Sequence, residues 1–212
     1  MSDGDARPAL DKSLDAEQEV PAGATMISQN AELMRMYLQR YDLSNDSLVD
    51  FAVNAHCNGN FNPNALFAGR SVSARDVRKS RIIEDPIKLM DCSPICDGAA
   101  AVVLMPSGQA DRYSRFPVKI LASSVATDRF RLHDRADPLR LEAARSSSMT
   151  AFRRANVGLE DVSLFEVHDA FSIMACLSLE SVGFAAPGDG WRMAANGEIG
   201  LHGKIPIATM GG

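Results

Sequence analysis

The sequence has no apolar run approaching the roughly 18 residues that a membrane-spanning helix requires, which excludes a helical span. Its opening stretch, MSDGDARPALDKSLDAEQEV, is acidic and polar and lacks the basic-then-apolar order of a secretory leader. A cytoplasmic protein is therefore expected. Positive charge is also scarce: 22 Lys and Arg stand against 27 Asp and Glu, a formal net charge of -5. Such a chain has no general attraction for nucleic acid, and an anionic ligand would need a local basic patch. Cysteines are few, and Cys57, Cys92, Cys96 and Cys176 are too scattered for a disulfide scaffold, so reduced thiols are the default. There is no internal repeat and no low-complexity tract. What remains is a globular composition, 46% hydrophobic and 23% charged, with a mean hydropathy of -0.09. The 212 residues suit one large domain or two small ones at roughly 100–200 residues per domain.

The first 25 or so residues mix Asp, Glu, Pro, Gly and Ala without a period and read as an exposed arm. From Gln29 the pattern changes. Leu33, Met34, Tyr37, Leu38 and Tyr41 recur at spacings of three and four, which predicts an amphipathic helix. Ser44 or Asn45 can cap a second helix with Leu48, Phe51, Ala52 and Ala55 on one face, broken at Asn58-Gly59-Asn60. The following loop is rich in Asn, Gly and Pro, yet Phe61, Leu66 and Phe67 give it apolar surface that should pack onto something. Ser71 or Ser73 starts a short helix, and residues 85–94 read as extended or irregular because two prolines restrict the residues before them.

Two strands are predicted next. Ala99 to Met105 is a continuous apolar run, as expected of a strand covered on both faces, and Val118 to Val125 follows it. A long helix is predicted from Pro138 to Asn156, with Gly158 just past its end. Ser163 to Asp169 reads as a strand running into a helix that is apolar almost all round and stops at Gly183. Such a helix is normally buried. The remainder, from Phe184, is glycine-rich and predicts neither helix nor strand. Helices alternating with buried strands indicate an α/β layered fold.

His168, in EVHDAF, is the sharpest local feature, because it lies where a buried strand hands over to a buried helix. Ligands collect at strand C-terminal ends in α/β proteins, and the new helix offers free backbone N–H groups. A histidine there either donates a hydrogen bond to a carbonyl oxygen or is a satisfied side chain paired with Asp169 or a backbone carbonyl. Cys92 and Cys96 lack a second Cys/His pair at zinc-site spacing, and buried thiols explain them, as they do Cys176; no metal is expected. His56 and Cys57 can line a pocket or pack a helix end, while His133 and His202 fall in polar loops. The glycines at 188–190 and 196–203 match no dinucleotide or phosphate-loop fingerprint. Arg7 and Lys12 add to positive charge early in the chain, and Arg70, Arg75, Arg78, Lys79 and Arg81 form a cluster that either meets a nucleotide phosphate or is a solvated face.

Taken together, DCSPICDGAAAVVL, FEVHDAFSIMACLSLESVGF and GEIGLHGKIPIATMGG resemble the thiolase superfamily, in its sterol-carrier-protein-type and archaeal branch. NAHCNGNFNPNALF and RIIEDPIKLMDCSP are similar to that branch's loop domain and the strand entry after it. The resemblance runs from about Gly23 onward. It implies a thiolase-like α/β layered fold, incomplete here, with a helical loop domain in 1–96, the last strand of the N-terminal half in 97–106 and part of the C-terminal half in 116–212. It implies acyl transfer through an enzyme thioester, as thiolysis or Claisen condensation, with coenzyme A or acyl-CoA as substrate and no permanently bound cofactor. The His-Asp-x-Phe motif matches His168-Asp169-Ala170-Phe171. By resemblance His168 is the catalytic residue, an oxyanion donor, while Ala170, Phe171, Gly211 and Gly212 line the substrate path.

Family members that carry Cys at the motif's third position use it as an acid/base group, which Ala170 cannot be. The nucleophilic cysteine half and the Gly-His-Pro segment of such enzymes have no counterpart here, so the expectation is an internal piece, inactive by itself, of a protein that forms homo-oligomers when whole. Met1-Ser2-Asp3 resembles the end of a family strand. Two alternatives stay open: a non-catalytic acyl-CoA-binding or scaffolding subunit, and a carbon–carbon lyase of the same fold, which usually has Tyr where His168 stands.

Overall fold

The computed structural model describes residues 8–211, so Met1-Ser2-Asp3, Arg7 and Gly212 lie outside the described residues. Helix α1 (Met26–Arg40) begins three residues earlier than its apolar period suggests, because Thr25 caps it: the Thr25 hydroxyl accepts from Ser28 N–H at 3.0 Å and Ser28 Oγ returns the contact to Thr25 N–H. Helix α2 (Val49–Gly59) has no side-chain cap at its start. Ser73 caps the short helix α3 (Ala74–Lys79) through Asp76, as its position implied. Residues 85–94 are more ordered than expected. A hairpin of β1 (Ile82–Glu84) and β2 (Ile87–Lys88) turns at the cis Asp85–Pro86 bond and leads into a 3-10 turn at Leu89–Asp91.

The predicted strands are where expectation and structure part. Residues 99–105 and 118–125 form neither helix nor strand, and among the described residues neither joins a sheet ladder. Val102 is 84% exposed and Val118 95%. A strand is stabilised by its neighbour's backbone and side chains, and an apolar run without that neighbour forms no ladder and leaves its side chains uncovered. Residues 121–127 still alternate between exposed and half-buried, as one face of a strand does, and Arg154 Nη1 donates to Ser123 O at 3.0 Å. Between these segments lies a single helical turn, α4 (Ser107–Ala110).

Helix α5 (Glu142–Ala155) starts later than Pro138, since residues 137–140 form a turn and Leu141 N–H is taken by Ser181 Oγ at 2.9 Å. It ends on Asn156 in the left-handed conformation (φ 57°) rather than at Gly158. Residues 163–169 make one bridge, Phe165 to Ile207. They run into α6 (Ser172–Val182), closed by left-handed Gly183 (φ 104°). The glycine-rich remainder holds a helix the sequence pattern did not show, α7 (Gly190–Ala195).

The core is built around α6. Ile173, Cys176, Leu177 and Leu179 are fully buried against Met34 and Tyr37 of α1, Phe51 of α2, Met193 of α7, and Ile199, Ile205 and Ile207. Each large apolar side chain so buried contributes about 1.5–3 kcal/mol, which explains why α6 has no polar face. One carboxylate oxygen ties three helices: Glu180 Oε1 accepts from Tyr37 Oη–H at 2.5 Å and from Gly190 N–H at 2.9 Å, with Cys176 Sγ at 3.7 Å. A smaller cluster of Val49, Ala52, Val72 and Val77 joins α2 to α3. The arm at 8–25 is mostly exposed, but Leu14 is buried. In the Asn-rich loop, Phe61 (77% exposed) and Leu66 (61%) remain uncovered, contrary to expectation, and Phe67 tilts onto His56 at 5.4 Å between ring centroids. No helix among the described residues is long and apolar enough to cross a membrane.

Candidate functional site

The turn from His168 to Phe171 is fixed from two sides. Phe165 N–H donates to Pro206 O at 2.9 Å, and Glu166 accepts from both the backbone N–H (3.0 Å) and the hydroxyl of Thr209. On the other side Ser93 N–H donates to Ala170 O at 2.9 Å, and Cys92 bridges Phe171. Along this extended stretch Phe165, Val167 and Asp169 are partly buried, whereas Leu164, Glu166 and His168 are exposed, the alternation that a pleated backbone imposes. His168 consequently borders a hollow of about 330 Å³ with Ser124, Ser147, Ser148 and Ser178. Its neighbour Asp169 faces a different cavity. Ala170 is half-buried against the core, and Phe171 is buried and precedes α6.

The cavity beside Asp169 holds about 360 Å³ and lies between α2 with its following loop, residues 90–96, the start of α6 and residues 210–211. Its walls are mainly apolar, with Phe51, Ala55, Leu66, Phe67, Met90 and Met210 among them. Gly211 belongs to this cavity and sits against Gly59: a Cβ at Gly211 (φ 94°) would fall 2.8 Å from Gly59 Cα, so no larger residue fits. Of the residues singled out from the sequence, His56, Cys92, Cys96, Gly211 and the motif residue Asp169 thus meet at one cavity, while His168 stands on the opposite flank of the same turn.

Three titratable groups shape the cavity's electrostatics. Asp91, 5% exposed, accepts from Ser172 Oγ–H and from Lys88 N–H, both at 2.9 Å. Burial raises its pKa, and those two hydrogen bonds oppose the rise. Burial likewise raises Asp169, against its own backbone N–H and the nearby His168. His56 is lowered, by burial first and then by Arg70. The Cys92 thiol, also in the wall, is pushed up to about 12 by burial, and burial raises Cys176 as well. A thiol that resists ionisation is a poor nucleophile.

The third support of the cavity went unseen in the sequence. Asn54 and Asn58 on α2 and Asn62 just beyond it lie at four-residue spacing. Asn54 Nδ2 donates to Ile207 O (3.2 Å), Asn58 Nδ2 to Ile207 O (3.0 Å) and Ala208 O (3.1 Å), and Asn62 Nδ2 to Met210 O (2.9 Å). This ladder holds a segment in which Ala208 carries a left-handed φ of 47°. The i, i+4, i+8 recurrence of Asn was the available signal, masked by the turn preference of the same residues.

The remaining sequence candidates divide. Cys96 is exposed but lines the same cavity, whereas Cys57 is exposed outside its wall and His133 lies 3.4 Å from Glu32. In the basic cluster, Arg78 is 3.8 Å from Asp46, and Arg70 sits over the Phe67 ring at 5.2 Å. Among the described residues no group of three or more His, Cys, Asp or Glu is placed to hold a metal ion.

Comparison with known proteins agrees with this architecture. Residues 124–212 match the family described as "Thiolase C-terminal domain-like". The acetyl-CoA acetyltransferase of Methanothermobacter thermautotrophicus is 38% identical over 98% of this chain and 54% of its own length. That of Methanocaldococcus jannaschii is 32% identical over 93% of this chain and 50% of its own. Among solved structures, the Ltp2-ChsH2(DUF35) aldolase superposes over the whole chain and 55% of its own with a TM-score of 0.87 at 22% identity, a likeness of fold. The chain spans about half the length of the curated relatives it matches. Its helix-rich body with one small hairpin is an incomplete α/β thiolase fold, and its residues 124–212 carry a thiolase C-terminal-like domain.

Proposed function

We propose that this chain forms the acyl-CoA-handling part of a thiolase-type acyltransferase. The observation that carries the reading is the 38% identity to an acetyl-CoA acetyltransferase along nearly the whole chain. In such a reaction a cysteine thiolate attacks the thioester carbonyl, the tetrahedral oxyanion collapses, and the coenzyme A thiolate leaves. Thiolysis or Claisen condensation then completes the cycle. His168 donates a ring N–H to that oxyanion. Its exposed position at the start of the turn supports that role, and the cavity on the other flank of the turn, beside Asp169, is the proposed acyl site. Ala170, Phe171, Gly211 and Gly212 line the path, with residues 1–96 as loop domain, 97–106 as a strand of the N-terminal half and 116–212 as part of the C-terminal half. The rise that burial gives the Cys92 and Cys176 thiols supports a nucleophile other than these two. The same observation favours a second reading, an acyl-CoA-binding subunit without chemistry of its own.

The test is thiolysis of acetoacetyl-CoA by the protein as its native gene produces it. His168→Ala should lower kcat by about 10²–10³, the typical loss of an oxyanion donor, and leave the KM for coenzyme A within about twofold. A loss confined to KM rejects His168 as the donor. Binding of acyl-CoA with no turnover in the unaltered protein selects the second reading.

A further inference from the structure

We infer that the cavity between α2 and α6 takes an uncharged acyl group and rejects one that ends in a free carboxylate. The inference rests on the acyl-CoA reading above and names the substrate class within it. Among the described residues, two carboxyl groups, Asp91 and Asp169, line the cavity, and His56 is the one side chain of cationic type in its wall. His56 is held toward its neutral form by burial and by Arg70. The other nearby cations are turned away. Lys88, whose backbone N–H serves Asp91, sends its Nζ to Asp46 at 2.5 Å. Arg70 is exposed on the Phe67 ring and is not part of the wall.

A ligand carboxylate would therefore lose water among Phe51, Leu66, Phe67 and Met90 and meet, among the described wall residues, two carboxyl groups and no Lys or Arg, the exposed Arg70 acting only from outside the wall. Asp91 already receives two hydrogen bonds from within the fold, so Asp169 is the carboxylate an entering anion would oppose. An alkyl acyl chain meets none of these costs. At about 360 Å³ the cavity lies at the small end of the 300–1,000 Å³ range of ligand pockets, which suits a short acyl group.

Butyryl-CoA and succinyl-CoA share a four-carbon acyl chain and differ in the terminal carboxylate, so they isolate the charge. In calorimetric titrations of the full chain, butyryl-CoA should bind at least tenfold more tightly than succinyl-CoA, and the monomethyl ester of succinyl-CoA should match butyryl-CoA. Asp169→Asn should narrow the tenfold gap to about threefold. Ala65→Trp, placed in the wall from the loop side, should reduce butyryl-CoA to the affinity of free coenzyme A. Equal or tighter binding of succinyl-CoA overturns the inference, as does an ester that binds no better than the acid. The ester comparison needs no variant and stands even where Asp169→Asn fails to fold. Butyryl-CoA binding with no discrimination removes this inference alone, whereas no binding of coenzyme A or any of the three thioesters removes the acyl-CoA reading with it.

Discussion

Asn58 gives the most direct test of how the cavity is held together. Its side chain is 3% exposed, and its Nδ2 donates to the carbonyls of Ile207 and Ala208 at 3.0 and 3.1 Å. Neither carbonyl depends on it alone: Ile207 O also receives Asn54 Nδ2, and Ala208 O receives Gly211 N–H at 3.0 Å. Asn58→Ala therefore deletes two neutral hydrogen bonds without orphaning a buried acceptor. At about 0.5–1.5 kcal/mol each, the expected cost is about 1–3 kcal/mol. For a chain of this size, 2 kcal/mol corresponds to a fall in Tm of roughly 4–8 °C. Asn58→Asp conserves shape but turns an acceptor-only carboxylate toward two carbonyl oxygens, and should cost more than alanine. Urea unfolding followed by circular dichroism gives the order, and hydrogen exchange gives the location: amides of Thr209 to Gly211 should lose protection in Asn58→Ala before those of α6. An aspartate variant as stable as the alanine variant, or exchange that rises equally in α6, would refute the ladder as the support of this segment.

Two further perturbations test other parts of the fold. His56 has its pKa lowered by burial, so the unfolded chain binds the proton more tightly. Its contribution to stability is present above its ordinary value near 6.5 and is lost as pH falls through the lower folded value. The urea midpoint should thus drop on acidification below about pH 6.5, and His56→Phe should flatten the part of that slope due to this residue; an unchanged slope would contradict the assignment. Asn156 closes α5 at φ 57°, so Asn156→Ala should destabilise by about 1 kcal/mol while Asn156→Gly is neutral or stabilising in thermal melts.

The elements legible in the sequence are those whose own residues decide their packing. α1 shows its period through Leu33, Met34, Tyr37 and Leu38, all buried, and α6 shows its central place through apolar residues on almost every side, from Ile173 to Val182, ending at Gly183. The runs at 99–105 and 118–125 form no strand among the described residues, because a β-ladder is a property of two segments and the apolar pattern reports only one. α7 was missed because six residues between glycines carry too little period to distinguish from a loop. The site was legible only in part. The motif 168–171 is local and could be found, whereas the cavity depends on contacts such as Asn58 with Ile207 and Asp91 with Ser172, which lie 149 and 81 residues apart.

Those long-range contacts also set how firmly the site is held. α6 is fixed by fully buried side chains on every face, but the cavity beside it is closed by hydrogen bonds from Asn54, Asn58 and Asn62, by Ser93 to Ala170, and by the approach of Gly211 to Gly59. Net hydrogen-bond contributions of about 1 kcal/mol are smaller than the burial of a single core leucine. Segment 208–211 is therefore expected to open before α6, at less than the global unfolding free energy. A ligand seated in the cavity contacts both that segment and α6, and so stabilises the closed arrangement in proportion to its affinity. The same division explains why the motif turn sits where it does: Ala170 and Phe171 are anchored to the rigid helix, and Glu166, two residues before His168, holds Thr209 of the softer segment. The turn thus couples the core to the one wall of the cavity able to move.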